Sequence, residues 1–404
     1  MVARISYLKL IMQPQYFITT PDPDYLPKGA VDPLGFQVIW QHQGKKLIPY
    51  LSTVSILARD FQVLCIARYL YGQDKEAGWP KYFLRFEQLM AYARCIKFPR
   101  VGFNGVDRVR NRVNELNRFP ISNNPNDEIL SNQRSYGVWG KYIRPFLDIG
   151  FDKDEMFYKI YGDKLNQLSQ LPEFKNIIQK LKSGERFTID RDLIQILFPL
   201  FDFDKNEKEF LVKKIMRFET TGAYQNRLFD YVHSTKSEGE FKLYEFLQDF
   251  SNYLNKDEVA LKEILVLHEQ TEKVLSPIST IFRYLQTKPL WTKDEIQKDE
   301  YITNCKLDTG FRFPSGEKNY DLLNHFRDLM NENNWNIIEA LHERNCEVTA
   351  WRGGASWITI NKDILEVRHS DGAKIKKEFN PQLNQENEYF FPTFISIYQQ
   401  LMQA

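Results

Sequence analysis

Apolar positions recur at helical spacing along most of this chain. Between Ser52 and Tyr71, the residues Ile56, Leu57, Phe61, Leu64, Cys65, Ala67 and Leu70 fall on one stripe, and Gly72 is a suitable stop. Tyr82 to Phe98 repeats the pattern and is closed by Pro99. Val106 to Asn117 reads as a short helix, Pro120 to Pro125 as a break, and Asp127 to Gly150 as a longer helix. Gly137 and Gly140 sit inside that last span. Each costs a helix about 1 kcal/mol relative to Ala, so close packing or close approach of another backbone is the expected reason for them. Phe157 to Ile160 reads as a strand. The stretch from 165 to 300 is helical in pattern, with acids and lysines mixed along solvated faces. Period-2 runs appear late, at Glu347–Arg352, Trp357–Asn361, Ile364–His369 and Ala373–Phe379. Gly353-Gly354, Asn361-Lys362-Asp363 and Asp371-Gly372 supply hairpin turn chemistry between them. Phe390 to Met402 closes as a helix.

The resulting fold class is mainly α with a winged-helix-like element and a small C-terminal α+β domain. Its expected domains are 1–164, with a proline-rich arm and the winged-helix-like element, a helical block at 165–300, and 301–404. The arm is read from Pro14, Pro21, Pro23 and Pro27, a density that denies helix and interior strand.

Composition changes this picture little. The chain has 404 residues, 43% hydrophobic and 26% charged, as in an ordinary globular protein. The aromatic share of 14% predicts an aromatic-rich core. Four cysteines without a CxxC pair fit a reducing compartment, and the absence of a leader pattern or a long apolar run predicts a cytoplasmic protein.

Charge changes it more. The formal net charge is +1, yet Arg94 to Arg144 holds ten basic and four acidic side chains, a local excess of six. Such an excess attracts a polyanion that whole-chain charge conceals. A short helix, a break, a second helix and a following strand are the ingredients of a winged helix-turn-helix, in which one helix enters the major groove of DNA and the wing touches phosphate. Arg108 and Arg112, four apart, share a face of the first helix. Ser131, Asn132, Gln133 and Arg134 stand near the start of the second, where such side chains bond base edges or phosphates. Lys141 is a further phosphate contact. These seven residues form the expected nucleic-acid-binding set. The segment carries no motif for strong sequence-specific readout. The competing expectation is a protein–protein adaptor whose basic face meets an acidic surface, since arginine is enriched at such interfaces.

Chemistry is sparse. Gly44-Lys45-Lys46 lacks the upstream glycine and the Ser/Thr of a phosphate-binding loop, and no dinucleotide or nucleophile-elbow motif occurs. His268-Glu269 and His342-Glu343 begin like HExxH, but the fifth residues are Glu272 and Cys346. Glu339 and His342 give half a di-metal pattern. The acidic run Asp202 to Asn206 lacks the Gly and the terminal Glu of a Ca²⁺ loop. Asp363, Glu366 and Arg368 imitate a nuclease triad whose lysine is replaced by arginine. Trp351 and Trp357, flanking the glycine pair, are either core residues or a stacking surface. No catalytic residue, metal ligand or cofactor is assigned, and a metal-dependent enzyme using His268 or His342 is the third reading.

Short motifs add a resemblance. Asp32-Pro33-Leu34-Gly35, Leu47-Ile48-Pro49, Ala58-Arg59-Asp60-Phe61, Ile129-Leu130-Ser131-Asn132-Gln133 and Tyr136-Gly137-Val138-Trp139-Gly140 resemble proteins of unassigned activity carried in bacterial anti-phage defence islands. The resemblance spans the first ~160 residues. It implies a bacterial cytoplasmic protein working beside an ATPase, a nuclease or a DNA-modifying partner. The function expected on these grounds is a non-catalytic subunit that holds duplex DNA in a defence complex.

Overall fold

The computed structural model describes residues 32–72, 78–217, 223–235, 241–307, 309–370, 372, 375, 379–380 and 385–402. The proline-rich arm, most of the expected strand at 373–379 and Asp371 lie outside them. The chain is mainly helical, with two small antiparallel sheets among the described residues. Two compact units emerge. One is built from the described residues of 40–269 and 387–402, the other from those of 32–39 and 270–386.

In chain order the elements begin α1 (Gln37–Lys45), α2 (Ala58–Tyr71), α3 (Trp79–Lys97), α4 (Val106–Glu115), β1 (Arg118–Ile121), α5 (Gln133–Tyr136) and α6 (Val138–Ile149). Then come α7 (Glu155–Leu165), α8 (Pro172–Ser183), β2 (Phe187–Asp190), α9 (Lys205–Leu211), α10 (Ala223–Thr235), α11 (Leu243–Tyr253) and α12 (Val259–Leu285). The series ends with β3 (Leu290–Thr292), α13 (Lys293–Lys298), α14 (Glu300–Cys305), α15 (Lys318–Leu329), α16 (Asn334–Trp351), β4 (Ile358–Asn361), β5 (Ile364–Val367) and α17 (Phe391–Met402).

Aromatic rings make the core of the larger unit. Phe61 of α2 meets Tyr142 of α6 edge-on at 5.0 Å, and Phe146 stacks on Phe151 at 5.2 Å. Phe151 in turn reaches Phe210 of α9 at 6.0 Å. Phe61, Phe146, Phe151, Phe157 and Tyr161 are all fully buried. Each such ring contributes about 1.5–3 kcal/mol through burial, so together they fix α6 against α2, α7 and α9. The last helix closes the same unit: Gln400 of α17 accepts from the Ala58 N–H at 3.0 Å and donates to the Ile56 carbonyl at 2.8 Å. It thus satisfies an orphan donor at the start of α2.

Two expected strands are helix. Phe157 to Ile160 lies in α7, which Asp154 caps by accepting from the Met156 N–H at 2.9 Å. Phe157, Ile160, Tyr161 and Leu165 are its buried face, a helical spacing that a four-residue apolar run cannot display. Glu347 to Trp351 continues α16, while Trp357–Asn361 and Ile364–His369 supply β4 and β5 as a hairpin with Lys362 at φ 54. In the smaller unit β3 pairs with β5, giving the antiparallel order β3-β5-β4. The other sheet joins β1 to β2, with Phe119 opposite Ile189.

Candidate nucleic-acid interface

The basic segment folds around a buried polar knot. Glu87 of α3 is fully enclosed, accepting from the Val138 N–H at 2.6 Å and from Gln133 Nε2 at 2.9 Å. Gln133 also donates to the Leu84 carbonyl, and its own oxygen accepts from Gln88 and the Ile129 N–H. This knot fixes where α5 begins and where α6 starts. Burial pushes the Glu87 carboxyl up to about 7, against the two hydrogen bonds that favour its charge. Gly137 separates the two helices because a Cβ there would lie 2.6 Å from Glu87 Oε1. The expected single helix at 127–150 is therefore two, α5 and α6.

The turn at Gly102–Gly105 packs on the same knot. A Cβ on Gly105, which sits at φ 82, would come within 2.7 Å of the Ile129 carbonyl. The start of α4 is thereby set beside residues 129–130. From there Arg108 reaches the Glu128 carbonyl at 3.1 Å and Ser131 Oγ at 3.4 Å. Arg108, Ser131, Asn132 and Arg134 are exposed. Asn132 accepts from the Ser135 N–H at the start of α5. Tyr136, 62% exposed, follows in the same turn.

The other predicted residues serve the scaffold more directly. Arg112 donates to Tyr92 Oη at 2.9 Å, to the Asp127 carbonyl at 2.8 Å and to the Asn126 carbonyl at 2.7 Å. It therefore clamps the 122–128 loop to α3. Lys141 donates to Asn104 Oδ1 at 2.6 Å and ties α6 to the glycine turn. Gln133 is wholly buried and presents no side-chain atom to solvent.

Compensation of charge is uneven along the segment. Arg94 is buried against Asp60 at 2.8 Å, Lys97 pairs with Asp202, Arg118 with Asp190 and Arg144 with Asp148. Arg110 stands 3.5 Å from Asp107. Asp127 is engaged by Arg186, whose hydrogen bond is the main cause holding its carboxyl below the usual range. Among the described residues, Arg108, Arg112, Arg134 and Lys141 have no acid within ion-pair distance, and neither has Arg100. Sequence reasoning passed over Arg100 and the exposed ring of Tyr136; the position of Arg100 directly after Pro99, outside any helix, was the available signal.

The histidines do not assemble a metal centre. His268 is buried, its Nδ1 lies 2.6 Å from the Ile264 carbonyl, and burial depresses its pKa to about 4. Glu272 accepts from Ser276 Oγ and from the Glu386 N–H. His342 Nε2 is 3.3 Å from Cys346 Sγ, and burial lowers its pKa. Among the described residues no three His, Cys, Asp or Glu side chains are grouped to hold a metal ion. Asp204 caps α9 by accepting from the Glu207 N–H, as a turn before a helix should. Trp357 is buried and Trp351 is 84% exposed. No described helix is long and apolar enough to cross a membrane.

Compared with protein-family models, with curated proteins and with solved structures, the chain matches none.

Proposed function

We propose that this protein is a non-catalytic subunit that holds duplex DNA through the exposed arginines of α4 and α5, within a bacterial cytoplasmic defence assembly. The observation that carries the reading is the uncompensated charge: four of the predicted contacts, Arg108, Arg112, Arg134 and Lys141, lack an acidic partner among the described residues. Most of their basic neighbours have one. Cations without local partners release counterions when they meet phosphates, and this drives sequence-independent binding. Arg108, Ser131 and Arg134 are exposed, while Arg112 and Lys141 are half-buried and bonded to the scaffold. Tyr136 beside Arg134 adds a ring able to pack on a sugar or base.

The winged-helix-like reading of 100–162 belongs to the same proposal. Its support is the order α4, β1, α5, α6, with α5 and α6 meeting at a glycine. The strand expected after α6 is replaced by α7, so phosphate contacts fall to the helices and the loop before α5. The defence setting, and an ATPase or nuclease as working partner, rest on the resemblance of the first ~160 residues. Titration of the full chain with a random-sequence duplex across a salt series tests the reading. Tight binding at low salt that weakens steeply supports it, and absence of binding at low salt rejects it in favour of the adaptor.

A further inference from the structure

The chain has four cysteines, and three of them are shut away. Cys65 of α2, Cys95 of α3 and Cys305 of α14 are buried. Burial pushes each of these thiols above its ordinary range, Cys305 to about 12. A thiol with neither access nor thiolate character is inert. Cys346 of α16 differs in access and in surroundings. It is half-buried, and Nε2 of His342 lies 3.3 Å from its Sγ.

The helix itself builds this pair. Residues four apart share a face of α16, so the sulfur meets the imidazole one turn earlier. The loop after the helix adds a hydroxyl. Asn345 Oδ1 accepts from Ser356 Oγ at 2.8 Å and from the Trp357 N–H at 2.7 Å, which holds the 352–357 loop on α16. Ser356 Oγ is thereby set 3.5 Å from Cys346 Sγ.

His342 is itself half-buried, so the pair is open to a small solute. Burial lowers the pKa of its ring; Glu343 on the same helix opposes this, and Arg368, just after β5, adds to it. The imidazole is therefore neutral near pH 7. With its proton on Nδ1, Nε2 is an acceptor for the thiol.

We propose that Cys346 is a hydroperoxide-reactive thiol, with His342 as the base that takes its proton. The thiol proton passes to His342 Nε2 as Sγ attacks one peroxide oxygen. The S–O bond forms as the O–O bond breaks, so sulfur is oxidised to a sulfenic acid and the peroxide is reduced. The departing hydroxide recovers the proton from the imidazolium and leaves as water. The oxidised state is reversible, because a second thiol condenses with the sulfenic acid and restores the cysteine on reduction. The site shares no residue with the arginines of α4 and α5 and does not depend on them.

The test is to treat the reduced full chain with a modest excess of hydrogen peroxide in the presence of dimedone, and to map the adducts by mass spectrometry. An adduct is expected on Cys346, and on Cys65, Cys95 and Cys305 only after unfolding in urea. The rate on Cys346 should be nearly flat from about pH 6.5 to 8, where His342 stays neutral. His342→Gln should lose at least about tenfold at pH 6.5, and its rate should fall with pH as that of a free thiol of pKa about 8.5 does. Circular dichroism establishes that the variant is folded. If it is not, the wild-type profile decides: a rate that drops about tenfold per pH unit below 8.5 overturns the proposal. No adduct on Cys346, equal labelling of a buried cysteine in the folded protein, or identical rate–pH profiles in the wild type and the folded variant overturns it as well.

Discussion

Glu87 is a carboxyl whose charge the fold opposes, and that makes it a gauge of the knot around it. Its pKa rises from 4.5 to about 7 through burial. The folded state therefore holds a proton that the unfolded chain releases. The resulting stabilisation is complete below about pH 4.5 and is lost as pH climbs through about 7, roughly 3 kcal/mol at most. His268 works the other way: its pKa falls from 6.5 to about 4, so its contribution is present above 6.5 and lost as pH drops through 4. The two nearly cancel in the whole-chain profile, and only a difference measurement separates them. The melting temperature of Glu87→Gln minus that of the wild type should rise steadily from about pH 4.5 to about 8; a flat difference would refute the raised pKa. Arg112 gives a second residue-level prediction. Its removal strands two carbonyls and a phenol, so Arg112→Ala should cost about 1–3 kcal/mol in urea unfolding, whereas Arg134→Ala should stay within about 0.5. Residue types were legible from the sequence here, and their environments were not. Gln133 and Arg134 are adjacent and alike in polarity, yet one is in the core and the other in solvent, because the direction of a four-residue helix is set by Glu87, 46 residues earlier.

At the scale of elements, the two glycines of the basic segment decide the geometry. Propensity alone says that Gly140→Ala should stabilise α6 by about 1 kcal/mol. A Cβ at that position would stand 1.9 Å from the Ser135 carbonyl oxygen, a backbone atom that cannot step aside without unwinding α5. Sterics should win, and Gly140→Ala is expected to lower stability by about 1–3 kcal/mol; a rise in melting temperature would show that α5 is free to shift. Close packing or close backbone approach were the reasons inferred for these glycines from sequence; at Gly140 the neighbour is the Ser135 carbonyl, and at Gly137 the Gln133 carbonyl and the Glu87 side chain. Of the helices with long periodic stripes, α3 was readable to within three residues, as was the β4–β5 hairpin through its turn, whereas α2 begins at Ala58, six residues after the expected start at Ser52, and leaves Ile56 and Leu57 outside it. Short apolar runs were not readable. Phe157–Ile160 and Glu347–Trp351 satisfy either period over four or five residues. Asp154 at the start of α7 and Asn333 at the start of α16 settle both as helix through their caps.

For the whole molecule, a net charge of +1 hides the basic region that the proposed function uses. The excess at 94–144 was visible from sequence as a sum. Which of its members are neutralised depended on acids far along the chain, Asp190 and Asp202 among them, and those pairings carry no sequence signal. We propose that the uncompensated arginines of α4 and α5 meet the DNA backbone, and the salt dependence of duplex binding by the wild type and by the Arg108→Ala/Arg134→Ala variant tests it. Across about 50 to 200 mM salt, a steep loss of affinity is expected for the wild type and a log–log slope shallower by about 2 for the variant. Identical slopes for the two proteins, with both folded, would contradict it.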